Sequence, residues 1–273
     1  MGLLSQTLSA LRHLGIRPRK HLGQHFLVDD NVAALIVELA LADGPKRILE
    51  IGPGFGLLTA SLAESNAGLV AVEKDALLAR MAAQAIAHIP SAGVVTADFL
   101  RVDLEHLLGE GKWTLVANLP YSVTSPILFR LMEARRRFSR MVIMVQREVA
   151  ERIHARPGGK DFGLLSIVVQ TYCKPRLVKV VSANCFYPRP RVQSAILELA
   201  VRRQPAVQVL DYSAFFNFCK RLFQQRRKQI STILRNMFPK QPRSVLDDHL
   251  RAASIHPQDR PEQLSLAVLA RLY

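Results

Sequence analysis

Residues 46–51 (KRILEI) form a short apolar run, and Gly52-Pro53-Gly54-Phe55-Gly56 follows at once. After the last glycine the spacing turns helical over 57–64. Strand, glycine turn, helix is the opening of a βα unit. A strand buried on both faces then needs parallel neighbours and crossover helices. The chain supplies candidates for both. Residues 69–72 (LVAV), 94–96, 113–117 (WTLVA) and 141–145 (MVIMV) read as strands, and 75–88 and 127–137 as helices. Such alternation predicts a parallel sheet with helices on both faces.

The later chain is less uniform. Residues 164–172 (LLSIVVQTY) read as either helix or strand, because β-branched content and length pull apart. Residues 177–181 and 195–201 read as strands around Phe186-Tyr187-Pro188-Arg189-Pro190-Arg191. The RRQPA segment breaks the pattern, and helical spacing returns over 211–222, 227–238, 244–253 and 261–272. At 273 residues there is room for one medium domain and one small one. The expected division is an α/β domain over 1–204 and an all-helical domain over 205–273.

Charge narrows the partners. Lys and Arg number 37 against 22 Asp and Glu, a net +15. An excess of that size points to a polyanion, nucleic acid before anionic membrane. No apolar run approaches the ~18 residues of a spanning helix, and the N-terminal stretch lacks the form of a secretory signal. Cys173, Cys185 and Cys219 are odd in number and have no CxxC spacing. They suggest reduced thiols in a cytoplasmic protein, with neither a disulfide framework nor a metal site.

Four signals carry chemistry. The GxGxG turn lets a ligand approach the backbone closely, although many glycine turns are only structural. Pro53 removes a donor that a pyrophosphate cradle would use, which favours a ligand without phosphates. Glu73, at the end of the second strand, suits a ribose hydroxyl pair; alternatively it is a solvated acid at a helix start. Asp98, past the third strand, can accept from an adenine amine or cap a turn, with Asp103 as a second capping candidate. Asn118-Leu119-Pro120-Tyr121 directly follows the fourth strand. There the Asn118 side-chain oxygen and the Leu119 carbonyl can accept from an exocyclic amine. Pro120 stiffens the turn, and Tyr121 can stack on an extruded base. An ordinary turn with a core tyrosine is the plainer alternative.

Taken together, Arg19-Lys20-His21-Leu22-Gly23-Gln24-His25-Phe26-Leu27, EIGPGFG, Glu73, Asp98 and NLPY resemble the ribosomal RNA adenine N6-dimethyltransferases. Within that family the likeness is to enzymes of the bacterial small subunit. It runs from about residue 19 to the C-terminal helices. The resemblance implies a Rossmann-like class I fold that uses S-adenosylmethionine (AdoMet) and no metal. It implies that His25, Leu27, Gly52, Glu73, Asp98 and Asn118 bind AdoMet, with Asn118 placed where the donor meets the target amine. The family often has Asn at the position of His25, so a main-chain contact there is expected to survive the change. The resemblance also implies a second aromatic facing the target adenine, with Phe186 the matching residue, Tyr187 the runner-up, and a core anchor the alternative.

The implied activity is dimethylation of adenine N6 in small-subunit ribosomal RNA, at adjacent adenines of a 3'-terminal hairpin, within small-subunit biogenesis. Large-subunit RNA methylation is the rival, as is an RNA-binding assembly or transcription factor on the same fold. Basic groups for the RNA are Arg135-Arg136-Arg137, Arg140, Lys220-Arg221 and Arg226-Arg227-Lys228. Binding is expected to weaken steeply with salt. A monomer is expected, since no feature requires a dimer.

Overall fold

The computed structural model describes residues 2–13, 15, 18 and 23–273. Residues 19–22 of the N-terminal motif therefore lie outside the described residues. The elements in chain order begin with α1 (Leu3–His13), β1 (Phe26–Leu27), α2 (Asp30–Leu41), β2 (Arg47–Ile51), α3 (Leu57–Ala63), β3 (Gly68–Glu73) and α4 (Ala76–Ala85). Next come β4 (Ala92–Thr96), α5 (Leu104–Leu108), β5 (Trp113–Asn118), α6 (Thr124–Glu133), β6 (Phe138–Gln146) and α7 (Arg147–His154). The remainder is α8 (Leu164–Tyr172), β7 (Cys173–Val181), β8 (Phe186–Tyr187), β9 (Ser194–Val201), α9 (Tyr212–Phe223), α10 (Ile230–Met237), α11 (Arg243–Ala252) and α12 (Leu266–Leu272).

The main sheet has the order β4-β3-β2-β5-β6-β9-β7. The pairs β4-β3, β3-β2, β2-β5 and β5-β6 are parallel, as the strand–helix alternation requires. β9 runs antiparallel to β6, with Gln146 opposite Ser194. The sheet is thus mixed, where the sequence predicts a parallel one. An apolar run does not carry its direction, and an antiparallel strand needs no crossover helix. The order reverses at β2, which sends the chain outward to β3 and β4 and then back to β5. In open α/β sheets that switch point, at the carboxyl ends of the strands, is where ligands bind.

Residues are grouped in two compact units. One holds Met1–Ala150 with Pro175–Val201, and the other holds Glu151–Lys174 with Arg202–Tyr273. The sequence pattern predicts one division near residue 204, and packing groups 151–174 with the helical unit. The cause is local. Phe162 and Ile167 share a buried cluster with Phe215, Cys219, Leu222, Ile230 and Ile233. α8 also resolves the ambiguous stretch as helix. Seven of its nine residues are buried, Ser166 Oγ accepts from Gly163 N–H, and Thr171 Oγ1 donates to Ile167 C=O. An all-buried helix has no polar stripe, so periodicity cannot mark it. The first unit has its own cluster, built on Ile48, Leu69, Val116, Val142 and Ile196 from the sheet and Val32 and Ile36 from α2. Among the described residues no helix is long and apolar enough to cross a membrane, and the three cysteines are free thiols.

The glycine turn is shaped for close approach. Gly52, Gly54 and Gly56 all have positive φ, and Gly56 at +80° starts α3 from the left-handed region. A Cβ on Gly56 would stand 2.7 Å from Ala82 Cα in the backbone of α4. Gly56→Ala combines left-handed strain with overpacking and is expected to cost about 2–3 kcal/mol. Urea unfolding of the variant measures this, and an unchanged midpoint would contradict it.

Candidate active site

At the switch point lies a cleft of about 370 Å³. That falls within the range of roughly 300–1,000 Å³ usual for small-molecule sites. Its walls come from three places: the N-terminal segment (Gly23 to Phe26), the ends of β2 and β3 (Gly52, Gly54, Glu73) and the turn after β5 (Asn118 to Val123). The structure therefore brings together His25, Gly52, Glu73, Asn118, Leu119, Pro120 and Tyr121.

Asn118 ends β5. Its Nδ2 donates to the His25 carbonyl at 3.2 Å. A carbonyl can only accept, so this contact settles which end of the amide is which. Oδ1 is left as the acceptor end in a side chain that lines the cleft. The Leu119 N–H donates to Met144 C=O at 3.0 Å, and Thr124 Oγ1 donates to Pro120 C=O at 2.9 Å. Together these pin the turn to β6 on one side and to the start of α6 on the other. Tyr121 OH bonds Ser194 Oγ at 2.7 Å, and its ring stacks on His25 with centroids 5.2 Å apart. Partial burial raises the Tyr121 phenol above its ordinary value. His25 Nδ1 lies 2.7 Å from Pro188 C=O, so Nδ1 carries the proton of that bond.

Glu73 is 9% exposed. Its Oε2 accepts from Gly54 N–H at 3.2 Å and its Oε1 from Asp75 N–H at 2.9 Å. Burial raises its carboxyl pKa, and the backbone N–H groups of Asp75, Gly54 and Lys74 oppose the rise. A carboxylate has about four acceptor positions, so capacity for a further hydroxyl donor remains. The acid is therefore oriented and largely buried rather than solvated. Glu50, one strand over, is 2% exposed, and its Oε2 has no hydrogen-bond partner. Burial pushes its carboxyl up to about 7, with the Glu73 charge adding to the rise.

Three expected residues stand outside the cleft lining. Asp98 bonds Lys74 Nζ at 2.9 Å and accepts from Leu100 N–H at 3.0 Å. The Lys74 contact holds its carboxyl below the usual range. Asp103 caps α5, accepting from Glu105 and His106 N–H. Leu27 packs against the core cluster, because successive residues of a strand face opposite ways. Phe26, its neighbour, takes the cleft side, with its ring on Gly54 and 4.5 Å from the Phe55 ring. Phe186 pairs with Leu27 and is 3% exposed within the core cluster. That burial suits the core-anchor alternative, while the residue stays beside the cleft wall through its strand partner β1. Tyr187, next to it, is 38% exposed. Sequence reasoning also missed Lys74 as the partner of Asp98. The pair is 24 residues apart and meets only because β3 and β4 are neighbours. Among the described residues no cluster of His, Cys, Asp and Glu could hold a metal ion.

The fold and the cleft together define a class I methyltransferase, a class that takes its methyl group from AdoMet. Residues 15–270 match the family model described as ribosomal RNA adenine dimethylase. The chain is 40% identical over 274 residues to the Ribosomal RNA small subunit methyltransferase A of Shouchella clausii, covering 98% of this chain and 93% of that one. The like-named protein of Moorella thermoacetica is 40% identical over 277 residues, with coverage of 98% and 95%. A dimethyladenosine transferase from Plasmodium falciparum superposes with TM-score 0.79 at 23% identity, over 91% and 96% of the two chains. The 23S rRNA methyltransferase ErmE superposes with TM-score 0.70 at 26% identity, over 90% and 97%. The chain belongs to the ribosomal RNA adenine dimethylase family.

Proposed function

We propose that the cleft binds AdoMet and that the protein dimethylates adenine N6 in small-subunit ribosomal RNA. The adjacent adenines of a 3'-terminal hairpin are the targets, and the step belongs to small-subunit biogenesis. The observation that carries this reading is the Asn118 amide, whose nitrogen is held by the His25 carbonyl so that its oxygen is the end offered in the cleft. AdoMet supplies a methyl already activated on a sulfonium. What remains for the protein is alignment, and acceptors for the positive charge that grows on N6. Asn118 Oδ1 and the Leu119 carbonyl are those acceptors. Pro120 holds their turn, and Tyr121 is the stacking face for the extruded base.

In this reading Glu73 receives the ribose hydroxyls, and Gly52 lets the methionine portion lie against the loop. His25 supports the donor through its main chain, whose carbonyl Asn118 already marks. Leu27 also acts through its main chain, since its side chain belongs to the core. Asp98 takes the adenine amine of AdoMet after Lys74 moves aside, a small motion for a side chain that is 65% exposed. No metal enters this chemistry. Glu73→Ala is expected to weaken AdoMet binding by roughly 10–100-fold, the loss of hydrogen bonds to a charged acceptor. Calorimetric titration checks it, and an unchanged Kd would remove Glu73 from the site.

The small-subunit assignment follows the names of the relatives. Likeness to ErmE keeps large-subunit RNA as the second reading. Supplying unmodified small and large subunits together with labelled AdoMet separates the two. Label in small-subunit RNA is expected, and label confined to large-subunit RNA would favour the second. The helical unit, with its Lys220-Arg221 and Arg226-Arg227-Lys228 groups, is proposed to contact the ribosomal substrate. The protein is proposed to act as a monomer in the cytoplasm.

A further inference from the structure

The loop between β8 and β9 spans residues 188–193 and is fastened to the cleft at both ends. At one end the Pro188 carbonyl receives His25 Nδ1 at 2.7 Å. At the other, Ser194 Oγ bonds Tyr121 OH at 2.7 Å. His25 and Tyr121 are the stacked pair of the cleft wall. The Arg147 N–H donates to the Gln193 carbonyl and Arg147 Nη1 donates to Gln193 Oε1, both at 2.9 Å. A loop tied at three points has little entropy left to lose when it meets a partner.

This loop presents two cations beside the cleft wall. Arg189 and Arg191 are both exposed. Among the described residues, neither makes an ion pair or a side-chain hydrogen bond. Arg137, Arg140 and Arg176 of the same unit are held by Glu105, by Asp43 and Glu198, and by Glu198, whereas Arg189 and Arg191 are uncommitted and lie on a loop fastened to the cleft. Tyr187 and Val192 are exposed beside them, at 38% and 43%. Two uncommitted guanidinium forks flanked by an exposed aromatic suit a polyanion that also carries flat bases. A phosphate takes two parallel N–H donors from one guanidinium.

We propose that this loop grips the RNA phosphates flanking the target adenosine, with Arg189 and Arg191 as positioning residues. The inference rests on the RNA reading of the cleft given above. Phosphate contacts set register and carry no base identity. The two arginines therefore act on RNA affinity, while the chemical step belongs to Asn118 and its turn.

The test uses the full chain, unmodified small ribosomal subunits and labelled AdoMet. Wild type is compared with the double variants R189Q/R191Q and R189K/R191K over a salt series. For the Gln pair, KM for subunits is expected to rise roughly tenfold, with kcat within about twofold of wild type. The slope of log KM against log salt is expected to flatten by about two, one per lost phosphate contact. The Lys pair is expected to recover most of the KM. AdoMet Kd, measured on the same preparations, is expected to stay at the wild-type value. A KM and salt slope equal to wild type would overturn the proposal, as would a fall in kcat at unchanged KM. Wild-type protein that transfers no label to any RNA would sink the function itself, an outcome read without any variant.

Discussion

Asn118→Ala is expected to lower single-turnover methyl transfer by about 100–1,000-fold, the usual effect of removing one preorganised polar group from a transition state. AdoMet Kd is expected to stay within about threefold of wild type, because hydrogen bonds made only as charge develops do not contribute to ground-state binding. The exocyclic nitrogen of adenine delocalises its lone pair into the ring and is a poor nucleophile until acceptors draw on its protons. In the proposed reading Asn118 meets that need with an oxygen whose direction is set from behind. Its nitrogen is engaged by the His25 carbonyl, and the next residue, Leu119, is tied to Met144. Alanine removes the acceptor and also frees the His25 carbonyl. A modest drift in AdoMet affinity is therefore consistent, whereas a collapse is not. Rapid-quench transfer at saturating AdoMet measures the rate. Near wild-type transfer would remove Asn118 from the chemistry.

The second large effect is on stability. The carboxyl of Glu50 sits on the interior strand β2 with one oxygen unpartnered, and burial raises it from 4.5 to about 7. A raised carboxyl pKa means that the folded state binds more protons than the unfolded chain between those pH values. Stability then falls as pH rises through that window, and the penalty is complete above about 7. The shift corresponds to about 3 kcal/mol. In Glu50→Gln that pH dependence is absent. Whatever fixed cost the buried amide carries, the variant is expected to gain about 3 kcal/mol on wild type between pH 4.5 and 7. Urea unfolding of both proteins at intervals across that range gives the difference directly. A difference that stays flat with pH would show that Glu50 is charged in the folded state throughout.

Much of the catalytic unit is legible because its signals are local. The KRILEI run, the glycines after it and the alternation that follows each identify one element, and Asp75 marks a helix start by capping α4; in the helical unit Asp211 does the same for α9. The NLPY turn and Glu73 arrive at one cleft because parallel strands put all their carboxyl ends on the same edge. What the sequence hides depends on pairing across distance. The direction of β9, the Lys74–Asp98 contact and the burial of Phe186 against β1 all follow from which strands are neighbours. Leu27 illustrates the limit most simply. The motif segment lines the cleft, but a strand alternates, and Phe26 holds the cleft side while Leu27 packs in the core. The assignment of 151–174 to the helical unit is hidden for a similar reason, since an apolar helix without a polar face does not say which core it joins.

The central claim is that this cleft places two methyl groups on the N6 atom of an adenine in small-subunit RNA. The most direct measurement is the nucleoside content of that RNA after incubation of unmodified subunits with the protein and labelled AdoMet. Digestion followed by chromatography is expected to show label first in N6-methyladenosine and finally in N6,N6-dimethyladenosine. Label in another nucleoside, or label that stops at the monomethyl stage under excess AdoMet, would contradict the account.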